Sequence, residues 1–106
     1  MVEAIVPEIA VKAATKLASN CRISRQVASP HDDFPYLVNL EILQESGNWI
    51  PIVSYEIAFY QSCRIESVPH QPRKFTTINL PFETARQMSE NDLKRNWRQY
   101  VQRYLR

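Results

Sequence analysis

From Tyr36 to Phe59 the chain reads Y-L-V-N-L-E-I-L-Q-E-S-G-N-W-I-P-I-V-S-Y-E-I-A-F, and this stretch decides the fold. Successive strand residues point to opposite faces, so Val38, Leu40 and Ile42 share one face while Leu37, Asn39, Glu41 and Leu43 share the other. The first set is wholly apolar, which predicts a strand with one face turned to a core. Gln44-Glu45-Ser46-Gly47-Asn48 then interrupts the alternation with the single glycine of the chain, the residue that enters a left-handed turn without steric cost. A hairpin is the natural reading. Its second arm, Trp49 to Phe59, is rich in β-branched and aromatic side chains. Pro51, near its start, has no amide hydrogen to donate and predicts an edge position or a bulge.

Toward the C-terminus, Cys63 to Val68 and Lys74 to Leu80 supply two further short strands, separated by Pro69-His70-Gln71-Pro72. Four strands in sequence without an intervening helix imply an antiparallel meander. The last segment, Phe82 to Arg106, changes period. Leu93, Trp97, Tyr100, Val101, Tyr104 and Leu105 recur at helical spacing, and Met88, Ala85 and Phe82 extend the stripe backwards. Pro81 suits the first helical position, and Ser89 three residues before Asp92 offers a capping box should the helix break and restart there. Trp97 shares the apolar stripe and is expected to be largely buried against the sheet. Its neighbours Tyr100 and Tyr104, with Trp49, Tyr55 and Tyr60, have rings able to stack on bases, but strand and helix positions of this kind read first as core.

Toward the N-terminus, Ile5, Ile9, Ala13 and Leu17 recur every fourth residue within Glu3 to Ser19, which predicts an amphipathic helix beginning near Pro7. Asn20 to Pro35 is dense in turn formers and reads as a connecting loop with a short extended piece around Ile23 to Val27. The expected architecture is therefore α+β: one domain over residues 1–106, with a small antiparallel sheet of about four strands, an N-terminal helix and a long C-terminal helix packed on the sheet.

Composition excludes several classes. The chain has 106 residues, 44% hydrophobic and 23% charged, which fits a folded domain and not a disordered, collagenous or coiled-coil chain. No apolar run approaches the length needed to span a bilayer, and Glu3, Pro7 and Glu8 occupy the place of a signal peptide's basic start and apolar run, so a cytoplasmic protein with no membrane partner is expected. A lone glycine excludes the phosphate-cradling loops of nucleotide-binding proteins. Cys21 and Cys63 have no Cys or His neighbours in ligand spacing, His31-Asp32-Asp33 lacks a third ligand, and His70 sits between prolines. No metal or cofactor is expected. No serine sits in a nucleophile elbow and neither cysteine carries a catalytic signature.

The net charge of +2 hides an asymmetry. Residues 1–70 hold five Lys/Arg against eight Asp/Glu, and residues 71–106 hold eight against three. On the last helix Lys94, Arg95, Arg98, Gln102 and Arg106 face away from the apolar stripe, with Arg103 at its border. Such a face can be simply solvated, can meet an acidic protein surface, or can release counterions from a nucleic-acid backbone.

Two stretches, Leu40 to Arg64 and Asp92 to Leu105, resemble a family of short prokaryotic proteins. Their middle reads W-x-P-V-V-x-Y-D-x-A-H-G-x-x-H and their end D-L-K-x-N-W-x-x-Y-x-x-R-F/Y-L. Here the corresponding residues are W-I-P-I-V-S-Y-E-I-A-F-Y-Q-S-C and D-L-K-R-N-W-R-Q-Y-V-Q-R-Y-L. The resemblance implies the fold above and a toxin–antitoxin-like or nuclease-like setting. The polar half of the motif is substituted: beside the matching Tyr55, the family's Asp, His, Gly and His become Glu56, Phe59, Tyr60 and Cys63. Phe59 cannot transfer a proton, so a reaction carried by those imidazoles would be lost.

The functional expectation is a non-catalytic accessory or regulatory protein that binds a protein partner or a second copy of itself, using the apolar, aromatic-rich strand Trp49 to Phe59 as an exposed edge. The alternative is a nucleic-acid binder, RNA or DNA, that lays Lys94, Arg95, Arg98, Arg103 and Arg106 along phosphates. An enzyme would have to pair Glu56 with His31 or His70.

Overall fold

The computed structural model describes residues 14–27, 36–59 and 61–106. Six strands precede one helix: β1 (Thr15–Ala18), β2 (Cys21–Val27), β3 (Tyr36–Leu43), β4 (Trp49–Ile57), β5 (Ser62–Glu66), β6 (Lys74–Ile78) and α1 (Phe82–Leu105). The strands form one antiparallel sheet in chain order, so each pairs with its neighbours in sequence and, among the described residues, β1 and β6 are the edges. The meander expectation holds. The sheet has six strands where four were expected.

The Tyr36–Phe59 hairpin is its centre. Val38, Leu40 and Ile42 are buried, and on β4 Val53, Tyr55 and Ile57 are 1%, 3% and 0% exposed. Gly47 takes φ +90° in the connecting turn, where a β-carbon would meet backbone strain although the space around it is open. Pro51 sits at a bulge: Leu40 pairs with Val53 and Glu41 with Pro51, leaving Ile52 unpaired. Because β4 is flanked by β3 and β5, the bulge is the correct alternative for Pro51, and the edge is not.

α1 lies across β3 and β4. Ala85, Ser89, Leu93 and Tyr100 face the sheet and are buried, a helical stripe that closes the core over Ile23, Leu40 and Ile57. The helix begins after Pro81, which is its N-cap residue with φ −56° and ψ 150°. It does not break at Ser89. That side chain is buried in mid-helix and donates to the Arg86 carbonyl at 2.7 Å, so no capping box forms.

Two expectations fail in the first part of the chain. Thr15–Ala18, placed in an N-terminal helix by the spacing of Ala13 and Leu17, is strand β1, paired with β2 through Thr15 and Ile23; residues 3–13 of that expected helix lie outside the described residues. Ser19-Asn20 turns the chain so that Ala18 faces Cys21, and the Asn20 carbonyl accepts from the Leu43 amide at 2.9 Å. Pairing with a neighbouring strand overrides a short helical spacing. Cys21–Val27, read as loop with a short extended piece, is a full interior strand with Cys21, Ile23 and Ser24 buried. Its alternation is masked because Arg25 occupies a helix-facing position. The guanidinium is held there by the Glu90 carboxylate, with Nε 2.9 Å away, and by Thr15 Oγ1 at 3.0 Å.

Candidate functional site

The sheet register sorts side chains onto two faces. Tyr55 pairs with Arg64 and Arg64 with Thr76, while Val53 pairs with Glu66 and Glu66 with Lys74, so all of these share the face that α1 covers. The helical spacing of Asp92, Asn96 and Tyr100 sets them on the side of α1 that meets this row. The result is a polar cluster between helix and sheet. Tyr55 donates to Asp92 Oδ2 at 2.6 Å, Tyr100 donates to the same oxygen at 2.7 Å, and Asn96 Nδ2 donates to Oδ1 at 2.8 Å. Burial by itself would raise the Asp92 pKa. The hydrogen bonds from Tyr55, Asn96 and Tyr100 and the nearby Arg64 charge outweigh it and hold the carboxyl below its ordinary range.

Glu66 extends the cluster toward the end of α1. It is 6% exposed and its carboxylate takes Arg64 at 3.2 Å and Arg103 at 2.7 Å. Both guanidiniums lie over the Tyr100 ring, at 5.0 and 5.1 Å from its centroid. Every oxygen of Asp92 and Glu66 is thereby engaged. An ionised carboxylate with its lone pairs filled is a poor general base, and the cluster serves to clamp α1 to β4 and β5.

The cationic residues named from sequence divide into two groups. Lys94, Arg95 and Arg98 are exposed on the outer face of α1 without a carboxylate partner among the described residues, Arg98 lying over the Trp97 ring at 4.7 Å. Arg103 leaves that face to bond Glu66. Arg106 lies with it in a cleft at the end of α1, where Lys74 of β6 and Gln71 of the preceding turn complete the wall. Trp97 is half-buried at the margin of the core, less enclosed than its position in the stripe predicts.

Of the motif-equivalent positions described, only Glu56 and Cys63 lie side by side. Tyr55 is buried on the helix face. Glu56 is on the opposite face, paired with Cys63, and Phe59 lies beyond β4, 64% exposed and stacked on Phe82 at 5.1 Å between centroids. Tyr60 and His31 fall outside the described residues. His70, with φ 65°, lies in the turn beyond Glu66, at the end of β5 away from Cys63 and hence from Glu56. The structure does not bring Glu56 and His70 together. Among the described residues no cluster of three or more His, Cys, Asp or Glu is arranged to hold a metal, and no helix is long and apolar enough to cross a membrane.

Sequence reasoning misses the partners that matter here. Asp92, Asn96 and Tyr100 share a helix face and are legible as a polar stripe, but Tyr55 and Glu66 reach across from positions 37 residues away in the chain, to Asp92 and Arg103 respectively. Lys74 reads in sequence only as the start of a strand. Set against known protein families, curated proteins and solved structures, the chain matches none of them.

Proposed function

We propose that this protein is a non-catalytic accessory or regulatory component that binds another protein through the open edge of its sheet at β6. The observation carrying this reading is the state of that strand. Lys74 to Thr77 are all exposed, Phe75 presents 65% of its surface, and among the described residues β6 pairs only with β5. Sheet edges offer a row of backbone donors and acceptors, and proteins usually blunt them with charges, bulges or covering elements. Among the described residues the one such device at β6 is Lys74, at its end. An extended partner segment gains main-chain hydrogen bonds there and an apolar contact at Phe75.

The expected edge at β4 is replaced by β6 because β4 is interior. A proline placed singly at Phe75 and at Thr76 tests the reading, since amides point alternately into and out of the sheet along an edge strand. One of the two variants removes an outward donor with the fold intact. That variant should keep its melting temperature and lose partner binding. A wild-type protein that is strictly monomeric at micromolar concentration and recovers no protein from its host would contradict the proposal.

A nucleic-acid reading has one observation in its favour. Among the described residues Lys16, Arg73, Lys74, Lys94, Arg95, Arg98 and Arg106 have no ion-pair partner, against Glu45, Glu56 and the hydrogen-bonded Asp92 on the acidic side. If these cations bind phosphates, RNA or DNA affinity should fall steeply with salt, and replacing Lys94, Arg95 and Arg98 by alanine should reduce the log–log slope by about one unit for each phosphate no longer neutralised.

A further inference from the structure

Resting on the edge-binding reading, we propose that the segment added to β6 is acidic, and that its carboxylates occupy the cleft formed by Lys74, Arg103 and Arg106. Three observations converge on this. No Asp or Glu occurs between Glu66 and Glu83, so the whole turn, edge strand and approach to α1 carry only positive side-chain charge. Lys74 is both the first residue of the edge strand and a wall of the cleft, which places the cations at one end of the track that an added strand would follow. Glu66, the one acid in that wall, is buried and already bridged by Arg64 and Arg103, so among the described residues Lys74 and Arg106 have no anion of their own.

The same charge distribution disfavours a second copy as occupant. An antiparallel β6–β6 pair centred on Thr76 would set Lys74 opposite Ile78 and avoid direct cation opposition. It would still bring two edges together with no carboxylate on either. If the added strand continues the antiparallel pattern, its C-terminal part lies beside Lys74. The partner's acidic residues therefore follow its paired residues, and its β-prone part crosses Phe75.

Fluorescence anisotropy with labelled synthetic peptides tests this. The probes are an alternating threonine–valine segment ending in acidic residues, the same segment ending in serines, and the same ending in lysines. The acidic peptide should bind about tenfold or more tightly than the serine peptide, and the lysine peptide least. A Lys74→Gln/Arg106→Gln variant, checked for an unchanged melt, should bind acidic and serine peptides alike. Binding that is equal for all three peptides in the wild type, yet lost in the outward-amide proline variant, overturns the acidic partner and leaves edge binding standing. Acidic-peptide binding insensitive to either proline overturns strand addition itself. An oligonucleotide that binds through Lys74 and Arg106 more tightly than the acidic peptide overturns the proposal in favour of a phosphate ligand.

Discussion

Tyr55, on the interior strand β4, donates its phenolic hydrogen to Asp92 of α1 at 2.6 Å, so the sheet and helix are joined by a charged hydrogen bond as well as by apolar packing. Tyr100 shares the same carboxylate. Replacing Asp92 by alanine leaves two buried hydroxyls, 3% and 8% exposed at the residue level, without their acceptor. With about 1–3 kcal/mol for each buried group left unpaired, Asp92→Ala should lose about 2 to 6 kcal/mol in urea unfolding.

The same carboxylate makes stability depend on acid. Its folded pKa is lowered, whereas an unfolded aspartate titrates near about 3.9. A depressed folded pKa contributes stability that is complete above the unfolded value and disappears as pH falls through the folded one. Stability followed by denaturant midpoint from pH 6 down to pH 2 should therefore decline below about pH 4, and the decline should be shallower in Asp92→Asn. An unchanged slope in that variant would remove Asp92 from the account.

Leu93 and Trp97 separate packing from position on the helix stripe. Leu93 is fully buried, so Leu93→Ala should cost about 2–5 kcal/mol. Trp97 is half-buried with a guanidinium over its ring, and Trp97→Ala should fall below the roughly 3–5 kcal/mol of an enclosed aromatic. Thermal melts of the two variants compare them directly.

Cys21 should be inert in the folded protein. It is 1% exposed, and burial pushes its thiol pKa up to about 11, so little thiolate exists at neutral pH. Alkylation at pH 8 should label Cys21 only at the rate of unfolding, which mass spectrometry of quenched samples resolves. Fast labelling would show that β2 opens at its Cys21 end.

Ser62 provides a test of opposite sign. It is 1% exposed and its hydroxyl has no hydrogen-bond partner among the described residues, so removing the oxygen removes an uncompensated desolvation cost. Ser62→Ala should be neutral or stabilising by up to about 1 kcal/mol in the same unfolding assay. A clear loss would mean that the hydroxyl is satisfied in solution.

What is legible in the sequence follows from where local pattern and tertiary demand agree. Tyr36–Leu43 alternates cleanly because every helix-facing residue from Val38 to Ile42 is apolar, and Phe82–Leu105 is long enough for its stripe to outweigh the polar residues within it. β2 is obscured because its helix-facing Arg25 is neutralised by Glu90, a partner 65 residues away. β1 is obscured because four residues carry too little alternation to compete with a preceding helical spacing. The cationic residues of α1 are legible individually. That Arg103 turns inward to Glu66, while Lys74 joins Arg106 at the cleft, depends on the register of β5 and β6, which no local pattern contains.

Binding at the β6 edge must leave its mark on the backbone amides of that strand. Amide chemical shifts of the isotope-labelled protein, followed while the acidic threonine–valine peptide is added, test it residue by residue. The account predicts shifts concentrated in Lys74 to Ile78 and at Arg103 and Arg106, together with slowed hydrogen exchange of the outward amides of β6. Shifts confined to Lys94, Arg95 and Arg98, or no change in β6 exchange at saturating peptide, would contradict it.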